Sequence, residues 1–235
     1  MEGWIVKLVL DHLIIVQDKF SLAANGEFLE GVHLISGAVG SGKSKLALTI
    51  AGLISAKSGC VSRCGIGPVM LSFQFPEYQI TGMTLTEECI SLGCDPEIFF
   101  SSSDLKEKKD QSPFLLSRGE LKQFSVSCLL NKHYDLLLLD EPFGSLDCET
   151  KNKFCQRLSQ PKKGITLIFT HEQAILPRVD RIWEIMDGVL LDRGTPPDAI
   201  RRWCGAPALI KKLIRQGKIP QNITCEDVME AACRT

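Results

Sequence analysis

The sequence predicts an α/β protein wound around a mostly parallel sheet, with a glycine-rich loop at one strand end. Three observations carry this. Residues Gly37-Ala38-Val39-Gly40-Ser41-Gly42-Lys43-Ser44 fit G-x-x-x-x-G-K-[ST]. They lie between a strand-like segment, Val32-His33-Leu34-Ile35-Ser36, and a helix-like one, residues 44–53. Two short apolar runs, 136–139 and 165–170, have the length and composition of strands buried on both faces. Helices are expected at 149–158 and 172–176, between and after these runs, and strands alternating with helices imply parallel pairing.

Residues 4–16 are β-rich, with a break at Asp11-His12, and Asn25-Gly26-Glu27 is a turn signal. An antiparallel hairpin region is therefore expected to lead into the loop's strand. Residues 58–61 and 69–73 read as further strands, separated by Gly65-Ile66-Gly67-Pro68. After a proline-marked stretch, residues 85–92 suggest a short helix, and the charged run 104–110 reads as a solvated face. A helix is expected over 120–130. Residues 181–191 look like a hairpin turning at Asp187-Gly188. From about Pro196 onward the chain reads as helical, with Thr224 as a cap and Asp227 three residues on.

The 235 residues suffice for one large α/β domain with small appendages. A formal net charge of -1 offers no electrostatic basis for nucleic acid as a partner. No apolar run reaches the roughly 18–20 residues that a membrane helix needs. Met1-Glu2-Gly3-Trp4 lacks the basic start of a secretory signal, so a cytoplasmic chain is expected. The ten cysteines are scattered and read as reduced thiols. Cys60 and Cys64 have a spacing used by some metal sites but no second pair nearby. Asn222-Ile223-Thr224 matches a glycosylation acceptor, without meaning in a cytosolic protein.

The glycine loop's chemistry follows from its residue types. Glycines let the backbone wrap phosphate oxygens, and the helix N-terminus adds partial positive charge. Lys43 would reach the β- and γ-phosphates of a nucleotide, and the Ser44 hydroxyl would ligate Mg²⁺. Asp140, directly after the apolar run, can hold Mg²⁺ through water, and Glu141 can take a proton from attacking water. Alone, that acidic pair reads equally as a turn cap. His171 follows the second run and can bond the γ-phosphate or orient the water, although a lone His there is commonly a surface or cap residue. Gln74 ends the 69–73 strand, where its amide can ligate Mg²⁺ or sense the γ-phosphate.

The order of these features carries more than any one of them. Glycine loop, Gln74, Leu116-Ser117-Arg118-Gly119-Glu120, Asp140-Glu141, Ser145-Leu146-Asp147 and His171 follow one another in this chain. The series resembles the ABC-type ATPases, whose signature, usually LSGGQ, stands here as LSRGE. Residues 72–79, Ser-Phe-Gln-Phe-Pro-Glu-Tyr-Gln, are similar to the Q-loop of the energy-coupling factor (ECF) transporter ATPases, and the acidic helical tail resembles theirs.

The resemblance implies a phosphate-loop, RecA-like ABC ATPase core with an N-terminal antiparallel β subdomain, a small helical subdomain and a short helical C-terminal tail. Its parts would be 1–73 (β subdomain and phosphate-loop core), 74–113 (Q-loop and helical subdomain), 114–195 (signature, Walker B and His-loop core) and 196–235 (tail). It also implies ATP with Mg²⁺, and Ser44, Asp140 and Gln74 around the metal. Glu141, His171 and Gln74 would serve hydrolysis. A second ATPase subunit, identical or not, would bring its Ser117 and Gly119 to the γ-phosphate in trans. The expected partners are a transmembrane coupling subunit and a substrate-binding membrane subunit, with this chain peripheral on the inner face of the cell membrane. The function implied is powering import of a vitamin or transition-metal ion; the alternatives are another ABC importer, a soluble ABC ATPase of assembly or regulation, and a nucleotide-gated binding module. Two departures stand out. Arg118 replaces a signature glycine and is expected to face phosphate, where a charge pair at about 4 Å is worth roughly 4 kcal/mol at an effective dielectric of about 20. Residues 10–18 lack the aromatic that stacks on adenine, leaving Phe20 or Trp4 for that role.

Overall fold

The computed structural model describes residues 6–17, 20–101, 103–161 and 163–234. The chain runs through β1 (Lys7–Gln17), β2 (Phe20–Leu29), β3 (Gly31–Gly37), α1 (Lys43–Ala51), β4 (Ser58–Cys64) and β5 (Val69–Ser72). Then come α2 (Leu85–Ser91), α3 (Pro96–Ser101) and the longer α4 (Arg118–Leu130). Next are β6 (Leu136–Asp140), α5 (Cys148–Leu158), β7 (Ile165–Thr170), β8 (Arg181–Met186) and β9 (Val189–Gly194). The tail folds as α6 (Asp198–Arg202), α7 (Ala208–Arg215) and α8 (Cys225–Cys233).

The nine strands among the described residues join one sheet, in the order β4-β1-β2-β9-β8-β3-β7-β6-β5. The half from β5 to β8 is parallel, and the expected apolar runs lie inside it: β6 is buried at every position and pairs Leu139↔Ile168 and Asp140↔Phe169 with β7. One face is covered by α1 through Leu46, Ala47 and Ile50, together with the β1–β2 side chains. The other is covered by Val126 and Leu129 of α4, Phe154 and Leu158 of α5, and the tail residues Ile210, Leu213 and Val228. Helices on both faces explain why these strands carry no polar alternation. The hairpin at Asp187-Gly188 is as expected, with φ of 50° and 72° at its two turn residues. Thr224 caps α8 by accepting from the Asp227 N–H at 3.1 Å.

Two expected elements differ. Asn25-Gly26-Glu27 is no turn; it lies within β2, and the hairpin closes at Gln17↔Phe20. Asn25 Oδ1 instead accepts the His12 N–H at 3.1 Å, beside the bulge that breaks β1. Gly26 leaves room for Trp183, since a Cβ there would sit 2.7 Å from the indole ring. Residues 172–176 are not helical. Glu172 Oε1 accepts the N–H groups of Gln173 and Ala174 at 3.0 Å, and Thr170 Oγ1 accepts that of Glu172 at 2.9 Å. Such local side-chain bonds compete with a helix, and Pro177 follows. Cys60 and Cys64 lie on the exposed edge strand β4. Asn222 is buried, bonding both the N–H and the carbonyl of Val179, so it is closed to modification.

Replacing Gly26 with Val should force Trp183 out of place and cost about 1–3 kcal/mol, as overpacking does. Urea unfolding measures this; unchanged stability would mean that the indole is free to move.

Candidate functional site

The site gathers at the C-terminal ends of β3, β5, β6 and β7. Gly37–Ser44 turns from β3 into α1 with Gly40 at φ 80° and Gly42 at φ 99°, the latter serving as the N-cap. Lys43 is buried and folds back over the loop. Its Nζ donates to the carbonyls of Gly37 at 2.9 Å and Ala38 at 3.1 Å and lies 3.6 Å from Glu141 Oε1. Ser41 Oγ is buried with no hydrogen-bond partner among the described residues. Under the loop, Ser36 Oγ accepts the indole N–H of Trp203 at 2.7 Å, which ties the tail to the loop's own strand.

Asp140 ends β6 at 4% exposure. Burial raises its pKa, while a hydrogen bond with Ser44 lowers it and leaves the net shift upward. Its Oδ1 is buried without a partner among the described residues. A buried carboxylate oxygen beside a serine hydroxyl is a donor set suited to Mg²⁺.

Glu141 follows with φ 46°. This left-handed conformation is unusual for a side-chain residue, and such strain is found at functional sites. The turn points the carboxylate across to β7. Oε2 accepts the Thr170 hydroxyl at 2.8 Å; Oε1 accepts the His171 N–H at 3.1 Å and lies 2.7 Å from His171 Nδ1. The imidazole is 55% exposed, so it can meet both Glu141 and solvent.

The Q-loop is arranged differently from expectation. The Gln74 side chain is exposed and makes no hydrogen bond among the described residues. Gln79 braces the loop: it donates to Leu71 O at 2.5 Å and accepts the Phe73 N–H at 2.9 Å. Lys122 of α4 is the residue that sequence reasoning missed. At 2% exposure it donates to the carbonyls of Phe73 at 2.9 Å, Gln74 at 3.2 Å and Asp140 at 3.5 Å. Burial pulls its pKa down to about 8 despite the nearby Asp140, Glu141 and Glu77. A lysine on a helix carries no sequence signal for this; only its register, between buried Leu121 and Phe124, hints at it.

The Ser117–Gly119 segment opens α4 and touches no phosphate-loop residue through a hydrogen bond among the described residues. Ser117 and Glu120 form a reciprocal capping box. Lys108 pairs with Glu120 and, with the Ser117 bonds, holds its carboxyl at about 2. Gly119 is required by close approach, since a Cβ there would lie 2.8 Å from the Ser145 carbonyl. Arg118 is 79% exposed on its side chain, 3.9 Å from Glu77. Phe20 lies against the loop: a Cβ on Gly42 would collide with its ring at 2.1 Å, and the Lys45 ammonium stands 4.8 Å from the ring centroid. Trp4 lies outside the described residues.

A family model described as ABC transporter matches residues 29–144. The chain is 27% identical to an energy-coupling factor transporter ATP-binding protein of Thermotoga maritima, over 93% of this chain and 91% of the relative. It is 32% identical to an aliphatic sulfonates import ATP-binding protein of Nocardia farcinica, over 70% of this chain and 68% of the relative. Among solved structures, it superposes on a nucleotide-free ATP-binding cassette from an ABC transporter with TM-score 0.61 at 19% identity, covering 84% of this chain and 94% of that one. It also superposes on an RNase-L inhibitor with TM-score 0.68 at 21% identity, covering 86% of this chain and 42% of that one.

Lys122 generates a pH prediction. The folded protein releases this proton near pH 8, whereas the unfolded chain holds it to about 10.5. Between those values the unfolded state binds more protons, so stability should rise with pH, by at most about 3 kcal/mol. Lys122→Met should lack this rise in urea unfolding across that window; equal slopes would contradict a buried, depressed ammonium.

Proposed function

The chain belongs to the ABC transporter ATP-binding family, whose members hydrolyse ATP, and from that premise we propose that it powers an energy-coupling-factor-type importer of a micronutrient, a vitamin or a transition-metal ion. One observation carries the catalytic part of this reading: Lys43, Glu141, Thr170 and His171 meet at one loop from three separate elements. Likeness to an energy-coupling factor ATP-binding protein over 93% of the chain supports the transport part.

The phosphate-loop N–H groups and Lys43 take up the β- and γ-phosphates, and Lys43 exchanges its contact with Glu141 for phosphate oxygens. The Glu141 carboxylate then accepts a proton from water as the water oxygen attacks the γ-phosphorus and the bond to the ADP oxygen breaks. His171, bonded to Glu141 through Nδ1, orients that carboxylate and the water. Ser44 and Asp140 would hold Mg²⁺, which would neutralise phosphate charge when bound; Gln74 would have to turn in from its exposed position to join them. Phe20 supplies the adenine platform beside Gly42. Ser117 and Gly119 reach the γ-phosphate of a second subunit.

Residues 74–113 form the part that meets the membrane subunits, and the exposed Phe75, Tyr78 and Met83 support that role. No helix among the described residues is long and apolar enough to cross a membrane; in the proposed importer the chain sits peripherally, on the cytoplasmic face.

Glu141→Gln should retain ATP binding while turnover falls about 10²–10⁴-fold, the usual worth of a general base. Full residual turnover, measured as phosphate release, would remove Glu141 from that role. Phe20→Ala should weaken ATP binding by about 1–3 kcal/mol if the ring stacks on the base; isothermal titration decides it. Co-purification from detergent-solubilised host membranes should recover polytopic subunits; recovery of soluble partners only would refute the transport reading.

A further inference from the structure

Away from the nucleotide site, three thiols converge in the helical region. Cys89 of α2, Cys94 in the turn after it and Cys128 of α4 bring their Sγ atoms within 4.8 Å of one another. Cys89 and Cys128 are fully buried, and Cys94 is half-buried, giving a route to solvent. All three are free, and the Cys94 thiol donates to the Cys128 carbonyl at 3.2 Å. Cysteines often fill cores as small apolar side chains, and Cys89 and Cys128 do pack beside Phe99, Phe100 and Phe124. Apolar packing does not account for one buried polar group beside them. The buried Tyr134 hydroxyl has no hydrogen-bond partner among the described residues and interacts electrostatically with Cys94 and Cys128. The Lys132 ammonium interacts with Cys94 and stands 5.8 Å from the centroid of the Tyr134 ring. Thiolates around a cation need such a setting, with a donor to hydrogen-bond sulfur and a positive charge to offset the excess negative charge.

We propose that Cys89, Cys94 and Cys128 bind one thiophilic d¹⁰ cation of the Zn²⁺ or Cu(I) class. Each thiol releases its proton to solvent as its sulfur binds the ion; no redox change is involved. Bonds of ~2.3 Å place the sulfurs of a tetrahedral ion about 3.8 Å apart, so the trio closes by about 1 Å or less. The Tyr134 hydroxyl donates to a bound thiolate, and Lys132 offsets its charge. Soft thiolate ligands exclude Mg²⁺, so this ion does not compete with the nucleotide's metal. The ion would link α2 to α4, the helix that begins at Ser117.

The test uses the reduced full-length chain with Cys60, Cys64, Cys148, Cys204, Cys225 and Cys233 replaced by Ser, and Cd²⁺ as the probe. One equivalent should bind, with the ultraviolet charge-transfer intensity of three Cd–thiolate bonds and a raised Tm. Cys94→Ser, at the half-buried position, should weaken binding at least 10-fold. Tyr134→Phe should weaken it about 10-fold, and Cys155→Ser should leave it unchanged. Retained ATP binding shows that each variant is folded. Absence of stoichiometric binding, or binding indifferent to Cys94→Ser, would overturn the site and leave three packed thiols.

Discussion

The organising constraint is the burial of two adjacent carboxylates, Asp140 and Glu141, at the end of a strand buried on every side. A buried charge is tolerated only when it is paired and hydrogen-bonded. Two buried ammonium groups answer this pair. Lys43 comes from the phosphate loop and approaches Glu141; Lys122 comes from α4 and feels the field of both carboxylates. Each ammonium is also bonded to backbone carbonyls, which fixes it where its charge is needed. The four groups, two acidic and two basic, tie α1, β6 and α4 to the backbone at the ends of β3 and β5. Removing one member leaves an uncompensated charge among buried groups, which costs more than the pair itself is worth.

Parallel pairing makes that quartet possible. Register sets Asp140 opposite Phe169, one residue before Thr170 and two before His171. The sharp turn at Glu141 then carries its carboxylate to those two residues, while Asp140 stays beside Ser44. Neighbouring residues in sequence thus take opposite tasks because the backbone reverses hand between them. Two tryptophans pack below this edge: Trp203 bonds Ser36 on the loop's own strand, and Trp183 fills the space beside Gly26.

Much of this was legible in the sequence because the relevant signals are local. Apolar runs 136–139 and 165–170 are strands since no water-facing side exists for them, and the glycine loop lies between strand and helix as its pattern requires. The misreadings share one cause: a distant partner overrode a local signal. Asn25-Gly26 has turn chemistry, yet Gly26 is there for Trp183, a contact 157 positions away in the chain that no local pattern reveals. Residues 172–176 have helix-forming composition, yet the Thr170 and Glu172 side chains capture their backbone N–H groups. Gln74 and Gln79 are both amides in one loop, and only the fold distinguishes the exposed one from the brace. Lys122 shows the limit most clearly, because buried and solvated lysines look alike in a sequence.

The altered signature can be weighed on the same terms. Glu120 stands where the family's glutamine does and keeps the capping function, since its carboxylate accepts the Ser117 N–H at 2.9 Å. Its added negative charge is met by Lys108 and by the N-terminus of α4, so the substitution introduces no unpaired charge there. Within the chain, Ser117 Oγ is an acceptor from the Glu120 N–H, which leaves the hydroxyl proton free to donate to an oxygen outside. Arg118 occupies the first helical position with its side chain exposed, 3.9 Å from Glu77. Gly119 is the glycine that the fold cannot replace, because a Cβ there would lie 2.8 Å from the Ser145 carbonyl oxygen, whereas the Arg118 side chain is exposed. The sterically demanding half of the motif is therefore intact. The changed half places an exposed cation on the surface that a second subunit's triphosphate would approach in the proposed dimer.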